Sequence, residues 1–361
     1  MSSQFRAIVV DEISETLPDA PAGPNAAADA AGRSRRGVLR TLDDDFFAAA
    51  GDDARPLPSP ATGVSIDVSY SSINYKDGLA VAGRPGIVRR LPLIAGIDVV
   101  GTVSASADPR WAAGDTVVLN GAGLGESRHG GLSEHAVVDG ASLLRLPSAI
   151  SPRRAAALGT AGFTAMLAVM ALERQGIGPR SGEILVTGAA GGVGSVAVML
   201  LSRAGYSVTA ASGRAATEGD YLRALGATTV IDRAELLEPG KPLQSTRWAG
   251  AIDSLGGTSL ATVLAQISYG GSVASCGLAA GAELPSTVLP FILRGVNLLG
   301  VNSVDAPVAL REAAWLRLAA EAQLALLDEL STEIGLSAVP ETAEAILAGT
   351  VRGRTIVNVR A

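Results

Sequence analysis

The chain has 361 residues, 48% of them apolar and 18% charged, with a formal net charge of −6 and a single cysteine. That length is enough for two domains with separate cores, and the acidic balance excludes the clustered basic surface that DNA or RNA demands, so no nucleic-acid partner is expected. Cys276 alone can form neither an intramolecular disulfide nor a cysteine-rich metal site, which fits a reducing cytoplasm.

The opening MSSQFRAIVVDE lacks the apolar core of a secretory signal, and residues 5–10 read as a first strand. Residues 18–37 lose all periodicity to Pro, Ala, Gly and Arg; a surface insertion or disordered loop is expected there, within a variable stretch spanning 18–45. From 63 to 145 short β-runs alternate with turn residues (VSIDVSY, DVVGTV, DTVVL, EHAVV), the pattern of a compact strand-rich domain. Residues 151–177 carry helical spacing. Strands and helices then alternate: EILVTG, a helix over 193–204, YSVTAAS, a helix over 217–225, TTVID and AGAIDSLG. That βαβ rhythm predicts a parallel sheet with right-handed crossovers. RGRTIVNVR near the end is a strand expected to return to the first domain. Gly, Ser, Thr or a charge interrupts each apolar run before spanning length, so a soluble protein without a membrane partner is expected.

The most informative stretch is EILVTGAAGGVGSVAVMLLSRAG. A β-run ends at Thr187, glycines follow at Gly188, Gly191, Gly192 and Gly194, and an apolar helix begins at once. Glycine lets backbone N–H groups approach a pyrophosphate at a helix N-terminus, so dinucleotide binding is predicted. The next strand ends at Ser212, Gly213 and Arg214, where an NAD enzyme carries an acid for the ribose hydroxyls. No carboxylate opposes a 2′-phosphate there, and a guanidinium beside a hydroxyl favours NADPH.

With both domains sketched, SSINYKDGLAVAG (71–83), LIAGIDVVGTV (93–103), GTAGFTAMLAVMALE (159–173), the GAAGGVGS turn, WAGAIDSLGG, YGGSVASCGLA, LPFILRGVNLLGVNS and RGRTIVNV together form a pattern. It resembles the acrylyl-CoA reductase and quinone-oxidoreductase-like branch of the zinc-free medium-chain dehydrogenase/reductase superfamily, over nearly the whole chain outside 18–45. The resemblance implies an α/β fold: a GroES-like β-rich catalytic domain (1–154 and 304–361) and a Rossmann doubly wound parallel sheet (155–303), with a cofactor cleft between them and a homodimer as the usual assembly. Where related zinc enzymes carry Gly-His-Glu, this chain has Gly96, Ile97 and Asp98; with only His129, His135 and Cys276 besides, no metal is expected.

The resemblance implies reduction of the double bond of a short enoyl-CoA, acrylyl-CoA to propanoyl-CoA first among them, with NADPH as cofactor. Conjugate reduction needs a donor for the developing enolate oxygen and a proton for the α-carbon. The Asn74-Tyr75-Lys76-Asp77 cluster is the best candidate: the family places the tyrosine at cofactor and substrate, which makes Tyr75 the donor or proton source, Asn74 an orienter and Asp77 its support. An NYKD turn also suits purely structural use. Motif matching adds Ala190, Gly191, Gly192 and Val193 at the pyrophosphate, Arg233 beside Arg214, and Leu278, Ile292, Ser303 and Asn358 around the nicotinamide. Leu278 and Ile292 are equally consistent with core packing. Arg84, Arg89 and Arg90 suit the phosphates of a CoA ester but also a solvated loop, and His129 stands where relatives often carry an acyl-pocket tryptophan. Two other functions fit the same residues: reduction of quinones or free α,β-unsaturated carbonyls, and a non-enzymatic NADPH-binding regulator.

Overall fold

The computed structural model describes residues 4–13, 34–47, 57–238 and 240–361. The chain folds as two compact units, one drawing on residues up to Thr160 and from Ser331 onward, the other on Ala161–Leu330.

The first unit is organised by the strand Val64–Ile73, whose Val64, Ile66 and Val68 are fully buried. β-Branched side chains pack well on a pleated surface, and here they build the core with Val99, Val103, Val117 and Leu119. The strand pairs antiparallel with Asp98–Ser106, His135–Val138 and Arg354–Asn358. Through these partners the sheet runs Ser331–Gly335, Arg354–Asn358, Val64–Ile73, Asp98–Ser106, Thr116–Asn120, Leu144–Arg145. A second sheet sets Ser34–Leu42 and Leu93–Ile94 on either side of Phe5–Ile13.

That second sheet corrects the expectation of an irregular loop through residue 37. Ser34–Leu42 is a strand in unbroken antiparallel register with Phe5–Ile13, from Phe5 against Leu42 to Ile13 against Ser34. Its signal was weak because it is an edge strand with little apolar alternation, and because Gly37 sits where an ideal Cβ would come within 3.0 Å of Val81. The rest of the stretch, residues 18–33 with Arg33 among them, lies outside the described residues. Of the arginines beside it, Arg36 pairs with Glu344 at 2.9 Å.

The second unit is a six-stranded sheet with every neighbouring pair parallel, in the order Thr229–Asp232, Val208–Ser212, Ile184–Thr187, Trp248–Asp253, Ile267–Ser275, Asn297–Gly300. In chain order this is 3-2-1-4-5-6, the doubly wound arrangement in which a ligand binds beyond the carboxyl ends of the strands. The helices Val308–Glu321 and Leu324–Glu329 also belong to this unit, burying Ala314, Trp315, Leu318 and Leu327. The compact units meet at 160/161 and 330/331, beside the expected domain limits at 154/155 and 303/304.

The helix Pro152–Arg174 is the one described helix long and apolar enough to cross a membrane by length and composition, and 83% of its most apolar window is buried inside the protein. Burial on all sides is the pattern of a core helix. Its regularity breaks at Gly159, with φ 49° and ψ −158°.

Candidate active site

In the first unit, the break at Gly159 aims the start of the following helical turn at a carboxylate. Thr160 donates to Asp98 Oδ1 through its backbone N–H at 2.9 Å and its hydroxyl at 2.6 Å. Asn120 Nδ2 donates to the same oxygen at 2.7 Å, while Asp98 Oδ2 accepts from Ser72 Oγ at 2.5 Å and Asn74 Nδ2 at 2.8 Å. Asp98 is fully buried, and five donors together with a helix start are what make a buried carboxylate tolerable.

The compensating cation is Arg354, buried at the start of the strand Arg354–Asn358. Its guanidinium donates to Ser72 Oγ at 2.8 Å, Asn74 Oδ1 at 3.1 Å and the carbonyl of Ala157 at 2.7 Å. Burial pulls its pKa below the usual arginine value, with Asp98 and then Asp77 opposing.

These contacts fix Asn74. Its amide donates to Asp98, Asp77 and Ser72 while its oxygen accepts from Arg354, so only one orientation of the amide satisfies all four partners. Asp77 closes the turn by accepting from Asn74 N at 2.8 Å and, on its other oxygen, from Ile97 N at 2.9 Å. Burial, then the charge of Asp98, pushes its carboxyl up to about 7. Tyr75 is the first residue of the helix Tyr75–Val81 and the one outward-facing member of the set, 45% exposed beside buried Asp77. Lys76 is held by Glu126 at 2.6 Å. Backbone and orienting groups are thus locked, and a phenol on the locked turn faces outward.

Of the proposed substrate residues, Arg84, Arg89 and Arg90 lie on the loop after that helix, with Arg89 the most exposed. His129 is not on the surface: it is buried, ringed by Phe46 and Phe47 at 5.0 and 5.7 Å, and accepts from Ile94 N at 3.3 Å. Burial, then the charge of Arg90, lowers its pKa to about 4. Its surroundings are those of a buried side chain packed on aromatic rings.

In the second unit, the strand Ile184–Thr187 runs into the glycine turn and the helix Gly192–Arg203. Gly188 has φ 60°, which a side chain rarely adopts. An added Cβ at Gly194 would lie 2.4 Å from the carbonyl oxygen of Gly188. The glycines therefore close a tight turn directly before the helix, with Gly191 N donating to the carbonyl of Gly188 at 2.9 Å, and a strand, glycine turn and helix start in that order suit a pyrophosphate. At the end of the neighbouring strand Val208–Ser212, Ser212 Oγ accepts from Arg214 N at 3.0 Å. Ser212 pairs in register with Asp232 at the end of Thr229–Asp232, and the guanidinium of Arg233 lies across Gly213, 2.6 Å from where a Cβ would stand. The structure thus brings Ser212, Gly213, Arg214 and Arg233 together at the sheet's carboxyl edge, the donor set a ribose 2′-phosphate requires.

Leu278 and Ile292 are 64% and 68% exposed, which excludes core packing for both. Ser303 lies on a loop held from inside by Arg311, which donates to the carbonyls of Ser303 at 3.2 Å and Ala306 at 2.8 Å. Asn358 belongs to the first unit, where it donates to Glu333 at 3.1 Å. Sequence reasoning missed Arg354, Ser72, Asn120 and Thr160 and noted Asp98 only as a replaced metal ligand. The available signal was a charged residue at the start of an apolar strand, as in DVVGTV and RTIVN.

Comparison with known proteins is consistent across the chain. Residues 60–148 match the alcohol dehydrogenase GroES-like domain and residues 192–319 match the zinc-binding dehydrogenase family. The probable acrylyl-CoA reductase AcuI of Escherichia coli is 52% identical over 300 residues, 83% of this chain and 92% of that protein. The putative quinone oxidoreductase YhfP of Bacillus subtilis is 48% identical over 83% of this chain and 91% of its own; its structure with NAD bound matches with a TM-score of 0.86, covering 99% and 100% of the two chains. The YhdH oxidoreductase from Salmonella enterica, solved in complex with NADP, gives a TM-score of 0.85 at 45% identity, covering 98% and 99%.

Proposed function

The chain belongs to the medium-chain dehydrogenase/reductase superfamily, in the branch of the acrylyl-CoA reductases and YhfP-like quinone oxidoreductases, and from that premise we propose that it is an NADPH-dependent reductase of short enoyl-CoA thioesters, acrylyl-CoA first among them. The observation that carries this reading is the glycine turn followed, one strand over, by Ser212, Arg214 and Arg233, where the strand Val208–Ser212 ends in a hydroxyl and not in a carboxylate. Gly188–Gly194 would hold the pyrophosphate, and the two guanidinium groups the 2′-phosphate. Leu278, Ile292, Ser303 and Asn358 would line the nicotinamide. NADPH supplies the hydride for the β-carbon when bound. Tyr75 would either donate to the thioester oxygen as it gains enolate charge, with solvent then protonating the α-carbon, or itself give up its proton to the α-carbon. Asn74 and Asp77, braced by Asp98 and Arg354, fix the turn from which Tyr75 projects. Arg89 and its neighbours Arg84 and Arg90 offer a cationic loop to the CoA phosphates.

The direct test is steady-state turnover of acrylyl-CoA, crotonyl-CoA, acrolein and a benzoquinone with NADPH. The highest kcat/KM is expected for acrylyl-CoA. The 48% identity to a putative quinone oxidoreductase supports the second reading, and faster turnover of the quinone than of either thioester would establish it instead. Tight NADPH binding without turnover of any acceptor would point to the regulator. Arg214→Ala should raise the Kd for NADPH about tenfold and leave NADH within about twofold, since one charge-assisted contact is worth roughly 1.5 kcal/mol. Equal losses for both nucleotides would remove Arg214 from 2′-phosphate recognition.

A homodimer is part of the same proposal. Asn297–Gly300 is an edge strand, and Val288, Leu293 and Leu298 are exposed around it; an open strand edge with apolar flanks is surface that a second copy would cover. A soluble cytoplasmic enzyme is expected, and recovery as a single-chain particle in sedimentation would refute the dimer.

A further inference from the structure

Three strand ends in the second unit converge on one buried acid that the proposed chemistry does not use. Asp253 closes the strand Trp248–Asp253 with no solvent exposure. One oxygen accepts from Thr187 Oγ1 at 2.7 Å and the other from Gly256 N at 2.8 Å. Thr187, the last residue before the glycine turn, also accepts on its hydroxyl from Ser254 N and on its carbonyl from Ser254 Oγ, each at 3.1 Å. From the next strand, Cys276 N donates to the carbonyl of Asp253 at 2.8 Å.

The loops so joined fit without spare room. An added Cβ would come 2.5 Å from Ser254 Oγ at Gly188, 2.5 Å from the carbonyl oxygen of Ser254 at Gly277, and 2.4 Å from that of Gly281 at Gly256. Asp253 therefore ties the glycine turn to the loop 254–257, and through Cys276 to the loop that carries Leu278. An acid in such a place is costly to bury, as the upward pull of burial on its carboxyl shows, and an apolar pair of similar volume would hold the strands together at least as well. What a carboxylate adds is direction: each donor must stand at a set angle and distance.

We propose that Asp253 and Thr187 are positioning residues for the dinucleotide, a clasp that sets the glycine turn against the two neighbouring loops so that its amides already point at the pyrophosphate when the nucleotide arrives. This rests on the reading of that turn as the NADPH seat. The clasp touches no part of the nucleotide that differs between NADPH and NADH. It must act on both alike, through preorganisation, whereas Arg214 acts on one.

The test measures NADPH and NADH binding by calorimetry to the full chain and to Thr187→Val, Thr187→Ser, Asp253→Asn and the Thr187→Val/Asp253→Asn double variant. Thr187→Val and Asp253→Asn should each weaken both nucleotides by about tenfold, the value of one buried hydrogen bond. Thr187→Ser, which keeps the hydroxyl, should bind within about twofold of the parent, and the double variant should lose clearly less than the two single losses combined, because the bond between Thr187 and Asp253 is common to both. If Thr187→Val does not fold, the nearly isosteric Asp253→Asn carries the test. Variants that bind as the parent does, fail to be rescued by Ser, or lose affinity independently in the double variant would overturn this proposal alone. A parent chain that binds neither nucleotide would overturn the NADPH reading and the clasp together.

Discussion

Gly159→Ala is expected to destabilise the protein by about 4 kcal/mol, measured as a lower urea midpoint at unchanged slope. Two costs contribute. Gly159 has φ 49° and ψ −158°, a region reserved for glycine, and forcing alanine into it costs roughly 1–3 kcal/mol. An alanine Cβ would also stand 2.7 Å from Asp98 Oδ2 and 2.8 Å from both Arg354 Nη2 and Ser72 Oγ. No flexible tail can swing away there, because each of those atoms is held in the buried network, and overpacking of this kind costs about 1–3 kcal/mol more. Relaxing the helix instead would withdraw Thr160 from Asp98 and leave a buried carboxylate short of donors. Stability within about 0.5 kcal/mol of the parent would show that Gly159 is not the hinge on which the network closes.

Tyr75→Phe should lower kcat for acrylyl-CoA about 100-fold, about 2.7 kcal/mol of barrier, while the Kd for NADPH stays within about twofold. The change removes one hydroxyl. The turn that places it is fixed by Asn74, Asp77, Asp98 and Arg354, none of which touches the phenol oxygen, so the ring keeps its place. A loss in kcat and kcat/KM together is the signature of an interaction made in the transition state. Undiminished turnover would take Tyr75 out of the mechanism and leave the locked turn without a chemical role.

Much of this was legible in the sequence because the Rossmann half repeats one local pattern. Val186 and Thr187 ending a β-run, glycines at 188–194 and an apolar helix behind them are contiguous, and adjacency carries the geometry. Ser212 and Arg214 could be placed for the same reason. Arg354 could not: a charge opening the apolar run RTIVN hints at burial, but its partners Ser72 and Ala157 are 282 and 197 residues away and nothing local says what it meets. Ser34–Leu42 escaped notice as an exposed edge. His129 was read against a position in relatives, whereas two neighbouring phenylalanines from residues 46–47 decide its surroundings.

The long reach of Arg354 also bears on how the protein is made. The ribosome must deliver all of Ala161–Leu330 before Arg354 emerges to meet Asp98, Asn74 and Ser72. Until then the nascent first unit holds two acids in a forming core without their guanidinium, which favours keeping that region loose and chaperone-accessible while the nucleotide-binding unit, contiguous in the chain, completes itself first.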